Sequence, residues 1–323
     1  MRTVPCCADA WNAAAALAAF ATFAGAQAGS VRMVLGFPAG ATSDILSRLV
    51  ADNMRQTLGQ PVIVENKPGA GGRIANETVK AATPDGTTLL MTPVATMSIF
   101  PHSFGNLRYD PFTDFAPLAH LSDFQLGLGV AASVPATTLA EYVALVKKEP
   151  QMRFYASAAA GSIPHFLGVM FARTAGIELT HVPYKGTAAV MQAIAGNEIA
   201  AITTVAADIG TLARSGKARM LAVSGDKRAA AFPEVPTFKE QGYDMSATAW
   251  YALFAPAKTP PAVRERLSKA AIAAIKDPAI QARLVQMGLE PTGHGPAELA
   301  RIMKLDYDKW GPVIRASGFK PGQ

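Results

Sequence analysis

The sequence predicts an α/β fold with two lobes, each built on a mostly parallel β-sheet flanked by helices. Two observations support this prediction. The 323 residues are 50% hydrophobic and 17% charged, which is the composition of a globular protein with enough apolar material for two domains. Apolar runs of strand length also alternate with amphipathic runs of helical length, in two similar sets within residues 31–91 and 154–203.

The first 28 residues have the pattern of a secretory signal peptide. Arg2 precedes an apolar stretch from Ala13 to Gly25, and residues 26–28 (Ala-Gln-Ala) form the small-x-small pattern that signal peptidase cuts. We predict cleavage after Ala28, which would also remove both cysteines and leave a mature chain without a thiol. The alternative is a buried N-terminal helix. No later apolar run reaches the about 18 residues of a membrane span.

The first set of elements begins with an apolar run, residues 31–37, which predicts a strand ending at Pro38-Ala39-Gly40. A helix follows, with Thr42 or Ser43 as its N-cap and Gly59 at its end. The next elements are a strand at 61–66, a helix from about Ile74 to Ala82, and a strand at 87–91. This β-α-β-α-β order predicts a parallel sheet buried on both faces.

The second set repeats the alternation. It comprises strands at 154–157, 181–184 and 199–203, with helices at about 163–174 and up to Ala195. Two further apolar stretches, Leu121–Val130 and Trp250–Ala255, are predicted to cross between the lobes. If they do, the first lobe is discontinuous and includes C-terminal helices such as 261–275.

Composition and motifs exclude several classes of function. The net charge is +6, but Lys and Arg are spread along the chain without a basic arm, so no nucleic-acid partner is expected. The five histidines lack metal-ligand spacing, and no metalloprotease, P-loop or nucleophile-elbow motif is present, so no metal or cofactor is expected. Ser162 and His165 could be a nucleophile and base, but their spacing is more typical of a helix N-cap and its first turn.

Three loops share one layout, in which a strand, a run of small residues and a helix start follow each other. They are residues 38–43, 69–72 and 157–162. The second, Gly69-Ala70-Gly71-Gly72, resembles a dinucleotide fingerprint, but Ile74 occupies the position of its third glycine. Backbone N–H groups at helix starts favour an anion, so three such loops predict a cleft for a small anion.

Several motifs together identify a family resemblance. They are Gly36-Phe37-Pro38-Ala39-Gly40 with Asp44, the run from Val64 to Gly72, Pro84-Asp85-Gly86, Tyr109-Asp110-Pro111, residues 181–186 (His-Val-Pro-Tyr-Lys-Gly), Pro233–Thr237, and Trp250-Tyr251 with Ala255-Pro256. In this order they resemble the Bug (TctC-like) extracytoplasmic solute receptors of tripartite tricarboxylate transporters, over essentially the whole mature chain.

The resemblance implies a two-lobed periplasmic binding protein, type II-like, with its cleft between the lobes. It further implies a monomer without cofactors that closes on a small carboxylate and delivers it to a membrane permease. The lobes are expected at residues 29–124 with 247–323, and at 125–246. A receptor that signals to a sensor kinase is the alternative, and a periplasmic hydrolase is the third hypothesis.

The resemblance also assigns a candidate ligand site to both sides of the cleft. On the first side it comprises Phe37, Ala39, Gly40, Ala41, Thr42, Asp44, Gly69, Ala70, Gly71, Gly72 and Thr96. On the second side it comprises Ser157, Ala158, Gly161, Ser162, His165, Tyr184, Lys185, Gly186 and Thr204.

Departures from the family pattern bear on the ligand. Residues 93–96 (Pro-Val-Ala-Thr) replace a Gly/Ser/Thr-rich loop, Phe100 stands where Asn is common, Ile163 replaces Ser, and Thr204 replaces an acidic residue. Because an ammonium group would need a carboxylate partner and apolar walls suit a ring or alkyl chain, we expect an aromatic or largely apolar mono- or dicarboxylate, rather than an amino acid or citrate.

Overall fold

The computed structural model of the protein describes residues 29–320, so the predicted signal peptide lies outside the described residues. The strands are β1 (Val31–Leu35), β2 (Val62–Asn66), β3 (Thr88–Pro93), β4 (Phe115–Ala131), β5 (Phe154–Ser157), β6 (Thr180–Pro183), β7 (Ala201–Val205), β8 (Ala218–Val223), β9 (Thr248–Pro256) and β10 (Leu289–His294). The helices are α1 (Thr42–Leu58), α2 (Arg73–Lys80), α3 (Phe100–Ser103), α4 (Leu139–Lys148), α5 (Ile163–Ala175), α6 (Thr187–Ala195), α7 (Ala206–Arg214), α8 (Pro261–Lys276), α9 (Pro278–Gln286) and α10 (Pro296–Ala316).

The first set of elements forms the parallel unit that the sequence predicts. Strand β1 lies between β2 and β3 and pairs with both in parallel, with Met33 opposite Val64 and Leu89. All six residues of β3 are buried, because the strand is covered on both faces. The carboxyl ends of these strands therefore lead into the loops at 36–41, 67–72 and 94 onward.

The second set forms a similar unit around β5. This strand pairs in parallel with β6 on one side and with β7 on the other. Helix α5 follows β5 and buries Phe166, Leu167 and Phe171. Gly168 allows this packing, since a Cβ there would lie 2.1 Å from the Tyr155 ring.

The two long strands β4 and β9 connect the units. They pair antiparallel from Phe115 opposite Pro256 to Gln125 opposite Thr248. Beyond this stretch β4 continues and pairs with β7 and β8, with Leu126 opposite Val205. Strand β3 also pairs antiparallel with β9. The sheet is thus mixed rather than mostly parallel, because the strands that carry the chain between the units run against their neighbours.

Several elements differ from the predicted ones in their bounds or caps. Strand β4 begins at Phe115, not Leu121, and β7 spans Ala201–Val205 instead of 199–203. Helix α2 ends at Lys80, two residues before Ala82. The N-cap of α1 is Ala41, with no side-chain cap. Thr42 and Ser43 do not cap it because they are the first two residues of the helix itself. The carboxylate of Asp44 accepts the Gly40 N–H at 2.9 Å.

The C-terminal helices pack on the crossing strands. The Ser268 hydroxyl on α8 donates to Leu118 O on β4 at 2.7 Å, and Trp250 on β9 donates through Nε1 to Asp306 on α10 at 2.7 Å. These bonds fix the strands from which the lobes diverge. Within residues 29–320, no helix is both long enough and apolar enough to span a membrane. The residue bounds of the two lobes stay a prediction.

Candidate functional site

A cavity of about 410 Å³ lies where the two parallel units face each other. Its walls come from the loops after β1, β2 and β3, from the loop after β5, and from the crossing strands. The residues lining it are Phe37, Ala70, Gly71, Arg73, Pro93, Ala95, Phe100, Phe104, Phe124, Leu126, Ala159, Ala160, Gly161, Ser162, Ile163, Pro164, Val205 and Tyr251. Apolar side chains predominate, which is typical of a pocket for a small organic ligand.

The first wall contains a turn of unusual backbone conformation at residues 69–72. Its four successive φ angles are all positive, at 137° for Gly69, 49° for Ala70, 67° for Gly71 and 98° for Gly72. Residues 70–72 form one tight turn before α2, in which Gly71 is not helical and the Gly72 N–H donates to Gly69 O at 2.9 Å. Successive N–H groups in such conformations form a concavity that favours anions.

Close packing fixes this turn against the end of β1. Lys67 donates its N–H to Leu35 O at 2.7 Å. A Cβ on Gly36 would lie 2.5 Å from the Cα of Gly72, so no side chain fits at Gly36. The glycine lets the two loops touch through their backbones.

Arg73 follows the turn, and among the described residues that line the cavity it is the one with a charged side chain. Its Nε donates to Ala70 O at 2.8 Å, and its guanidinium carbon lies 4.1 Å from the centroid of the Phe104 ring. Arg73 was not among the site residues assigned from the sequence. Its position at the start of the helix after the glycine-rich turn is the signal that could have identified it.

Aromatic rings form much of the remaining surface. Phe124 on β4 and Tyr251 on β9 stack with their centroids 4.7 Å apart. Phe100 and Phe104 meet edge to face at 4.9 Å. Phe37 completes this set. Of these five rings, only Phe37 was assigned to the site from sequence, although Phe100 was noted as a departure from the family pattern that bears on the ligand. Phe124 and Tyr251 lie on strands far apart in the chain, and such contacts leave no local pattern.

The second wall is the loop from Ala159 to the start of α5. Ser162 caps α5, since its Oγ accepts the His165 N–H at 3.3 Å, and it donates to Ala159 O at 2.7 Å. Gly161 has φ 75° and donates its N–H to Nδ1 of His165 at 3.1 Å. The capping interpretation of Ser162 and His165 is therefore confirmed.

Behind this loop lies a pair of stacked histidines. The rings of His165 and His181 have centroids 4.0 Å apart, and Nε2 of His181 bonds the Ser157 hydroxyl at 2.8 Å. Burial lowers the pKa of His165 to about 4. Burial and the neighbouring His165 lower the pKa of His181 to about 3. Both rings are thus neutral at pH 7. Within residues 29–320, neither ring bonds a carboxylate that could orient it as a base.

Acidification is expected to destabilise the protein through this pair. Because both folded-state pKa values lie below the unfolded value of about 6.5, the unfolded chain takes up protons that the native state does not. Stability is therefore full above about pH 6.5 and falls as the pH falls toward 4, by up to about 2 kcal/mol for each histidine at pH 5. Urea unfolding at pH 7 and pH 5 measures this loss.

The variant His181→Phe tests the source of this pH dependence, with His294→Phe, at an exposed histidine, as the control. We expect H181F to show a smaller loss between pH 7 and pH 5 than the wild type, and H294F to retain the full loss. An equal loss in H181F and the wild type would exclude the pair as its source.

Of the residues assigned from sequence, five line the cavity: Phe37, Ala70, Gly71, Gly161 and Ser162. Two more support the walls directly. Gly69 begins the 69–72 turn, and a Cβ on Gly72 would lie 3.3 Å from Thr96 and 3.4 Å from Phe37. The remaining residues are placed around these loops but do not line the cavity.

Asp44 has a structural position beneath the 37–44 loop. Its carboxylate pairs with Arg48 at 2.9 Å and accepts from Gly40 N and from Asn66, which also donates to Phe37 O at 3.0 Å. Burial alone would raise the pKa of Asp44, but hydrogen bonds from Arg48, Gly40 and Asn66 outweigh it and hold this pKa below its usual value. The network fixes the loop that carries Phe37. Ala39 and Gly40 are exposed, and Ala41 and Thr42 are half-buried.

Two threonines assigned to the site are turned into the protein. Thr96 Oγ1 lies 2.7 Å from Thr92 Oγ1, and Thr204 donates to Asp208 at 3.2 Å. Burial raises the pKa of Asp208, against the lowering effect of this hydrogen bond. Both hydroxyls already have partners and are buried, because an unpaired hydroxyl would be costly there.

The second-side residues behind the loop shape it through the backbone. Tyr184 N donates to Ser157 O and Gly186 N donates to Ala158 O, both at 3.0 Å. Lys185 is exposed and does not line the cavity. Among residues 29–320, no group of three or more His, Cys, Asp or Glu side chains is arranged to hold a metal ion.

A larger cavity, of about 610 Å³, lies on another face, where Arg214, Arg219 and Glu234 line it. Arg219 donates to Ala136 O at 2.8 Å. None of the three glycine-bearing loops contributes to this cavity. The smaller cavity is therefore the candidate site, since both facing units and the crossing strands converge on it.

Comparisons with known proteins agree with this architecture. The family model described as the tripartite tricarboxylate transporter family receptor matches residues 46–319. The structure of the periplasmic binding protein BugD is 32% identical with a TM-score of 0.78, covering 90% of this chain and 98% of BugD. This similarity confirms the two-lobed α/β fold.

Two similar structures hold carboxylates. Rpa4515 of R. palustris, solved with adipate, is 28% identical with a TM-score of 0.82, covering 90% of this chain and 97% of its own. MatC from Rhodopseudomonas palustris, solved with bound malate, is 29% identical with a TM-score of 0.77, covering 88% of this chain and 98% of its own.

Proposed function

The chain belongs to the tripartite tricarboxylate transporter receptor family, and from this premise we propose that it captures a small carboxylate with an aromatic or largely apolar body. The proposed site is the cavity of about 410 Å³. The proposal includes export to the periplasm, action as a monomer, and delivery of the closed form to a membrane permease. The family is one of receptors, not of enzymes.

One observation carries the ligand class. The cavity combines the backbone N–H groups of the 69–72 turn with a surface of Phe, Tyr, Leu, Ile and Val side chains, whereas at the start of α5 the N–H groups of Gly161 and His165 already have partners. The N–H groups suit a carboxylate, while the rings suit an apolar body. Among residues 29–320, no acidic side chain lines the cavity to pair with an ammonium group. Adipate in Rpa4515 and malate in MatC support a carboxylate as the ligand.

The proposed mechanism is closure about the crossing strands. β4 pairs with β9 in its first part and with β7 and β8 in its second, so bending there would change the separation of the two walls. A ligand that touches both walls shifts the population toward the closed form. We propose the lobes as residues 29–124 with 247–323, and 125–246.

A thermal-shift panel on residues 29–323 tests the proposal. The panel contains benzoate, phthalate and adipate, together with citrate and glutamate. A ligand at about 100 times its Kd stabilises the native state by about 2.7 kcal/mol, and we expect such a shift with at least one of the first three acids.

Two outcomes would contradict the proposal in different ways. A shift with citrate or glutamate alone would refute the proposal that the ligand has an apolar body, while the receptor assignment would stand. If benzamide or adipamide gave the same shift as its parent acid, the proposal that the site recognises a carboxylate would be refuted.

A further inference from the structure

The charges around the cavity are unbalanced. Among the residues that line it, Arg73 is charged and all others are neutral. Within residues 29–320, no carboxylate lies within 4.0 Å of the Arg73 guanidinium. The nearby acid Glu77, one helical turn later, lies 4.0 Å from Arg108 instead. A cation at an apolar surface without an acidic partner attracts an anionic ligand.

The guanidinium is also held in place. Its Nε donates to Ala70 O at 2.8 Å, and one face lies over the Phe104 ring. Within the described residues, neither Nη1 nor Nη2 has a hydrogen-bond acceptor in the protein. Arginine presents these nitrogens as a planar fork that matches a carboxylate. The fork is thus oriented in advance and retains two donors.

We propose that Arg73 binds a carboxylate of the ligand and selects acids over their neutral analogues. This inference rests on the proposed function and adds to it a side-chain anchor beside the backbone N–H groups of the 69–72 turn. The apolar body of the ligand then extends from Arg73 toward Phe124 and Tyr251. The ligand class is an acid whose anionic group lies at the Phe104 end of the cavity.

The test compares acids with their amides on Arg73 variants. Titration calorimetry measures the Kd of benzoate, benzamide, adipate and adipamide for the wild type, Arg73→Gln and Arg73→Lys. Arg108→Gln is the matched control, since it removes an equal charge nearby from a side chain that is 76% exposed and does not line the cavity. We expect R73Q to weaken acid binding about 10- to 100-fold and to leave amide binding unchanged.

The lysine variant separates the effect of the positive charge on binding from the effect of the Arg73 hydrogen bond on the 69–72 turn. R73K keeps the cation but loses the Nε bond to Ala70 O, so we expect it to retain part of the preference for acids. R108Q is expected to change every Kd less than twofold. If R73Q and R73K weakened acid and amide equally, Arg73 would only support the turn, and the proposal would be overturned.

Two other outcomes distinguish failure of the Arg73 proposal from failure of the proposed function. Unchanged acid binding by R73Q would overturn the role of Arg73 and leave the proposed function standing. A wild type that binds amides as tightly as acids, or that binds none of benzoate, phthalate and adipate, would overturn the proposed function together with this inference.

Discussion

Replacing Gly71 with alanine is expected to weaken carboxylate binding about 10- to 100-fold. Gly71 lines the cavity with φ 67°, and a Cβ there would lie 3.2 Å from Cζ of Phe100. The added methyl group would occupy the space between the turn and the ring, and the positive φ would favour rearrangement of the turn. The N–H groups would then no longer point at the ligand. Calorimetric titration with the acid that stabilises the wild type most measures the change.

Gly59→Ala is the matched control for this variant. Gly59 also has φ 67°, at the end of α1, but a Cβ there would have no neighbour within 4 Å. Both variants should lose about 1–2 kcal/mol of stability from the left-handed conformation, and only G71A should lose affinity. Equal affinities for the two variants would show that the 69–72 turn does not contact the ligand.

Replacing Gly36 with alanine is expected to reduce both stability and affinity. The new Cβ would lie 2.5 Å from Cα and 2.9 Å from O of Gly72. Because these are backbone atoms, no rotamer change relieves the clash, and the turn must move. Overpacking of this kind costs about 1–3 kcal/mol, and we expect affinity to fall about tenfold or more as the N–H groups shift. Urea unfolding and calorimetry measure the two effects.

Gly105→Ala controls for the loss of a glycine as such. Its Cβ would meet nothing within 4 Å, and its φ is not positive. We expect wild-type stability and affinity for G105A. If G36A bound the acid as tightly as G105A, the contact between the β1 end and the turn would have no part in binding.

The features predicted correctly from the sequence are those with local causes. The strand, small-residue loop and helix order predicts both parallel units. The three-residue spacing of Ser162 and His165 predicts that Ser162 caps α5. In the structure, Ser162 Oγ accepts the His165 N–H at 3.3 Å. The 69–72 turn contains three glycines, and its four positive φ values explain that composition.

The crossing strands were only partly predictable. The apolar stretches at 121–130 and 250–255 correctly identified β4 and β9. Their antiparallel pairing, and the start of β4 at Phe115, depend on partners far away in sequence. Periodicity within a segment carries no information about the direction of its neighbour.

The residues of the candidate site also divide into those that local sequence predicts and those that it does not. Phe37, Ala70, Gly71, Gly161 and Ser162 lie on loops whose sequences mark them, and all five line the cavity. Phe124 and Tyr251 line it because β4 and β9 lie side by side there, which no local pattern shows. Asp44, Thr96 and Thr204 were assigned as polar site residues, but each is buried and bonded within the protein and none lines the cavity.

The most direct test of the account is a crystal structure with the acid that stabilises the protein most. We expect a carboxylate oxygen about 2.7–3.2 Å from the backbone nitrogen of Ala70 or Gly71, with the apolar body of the ligand against Phe124 and Tyr251. A ligand in the larger cavity beside Arg214 and Arg219, with the cavity at the 69–72 turn unchanged, would contradict it.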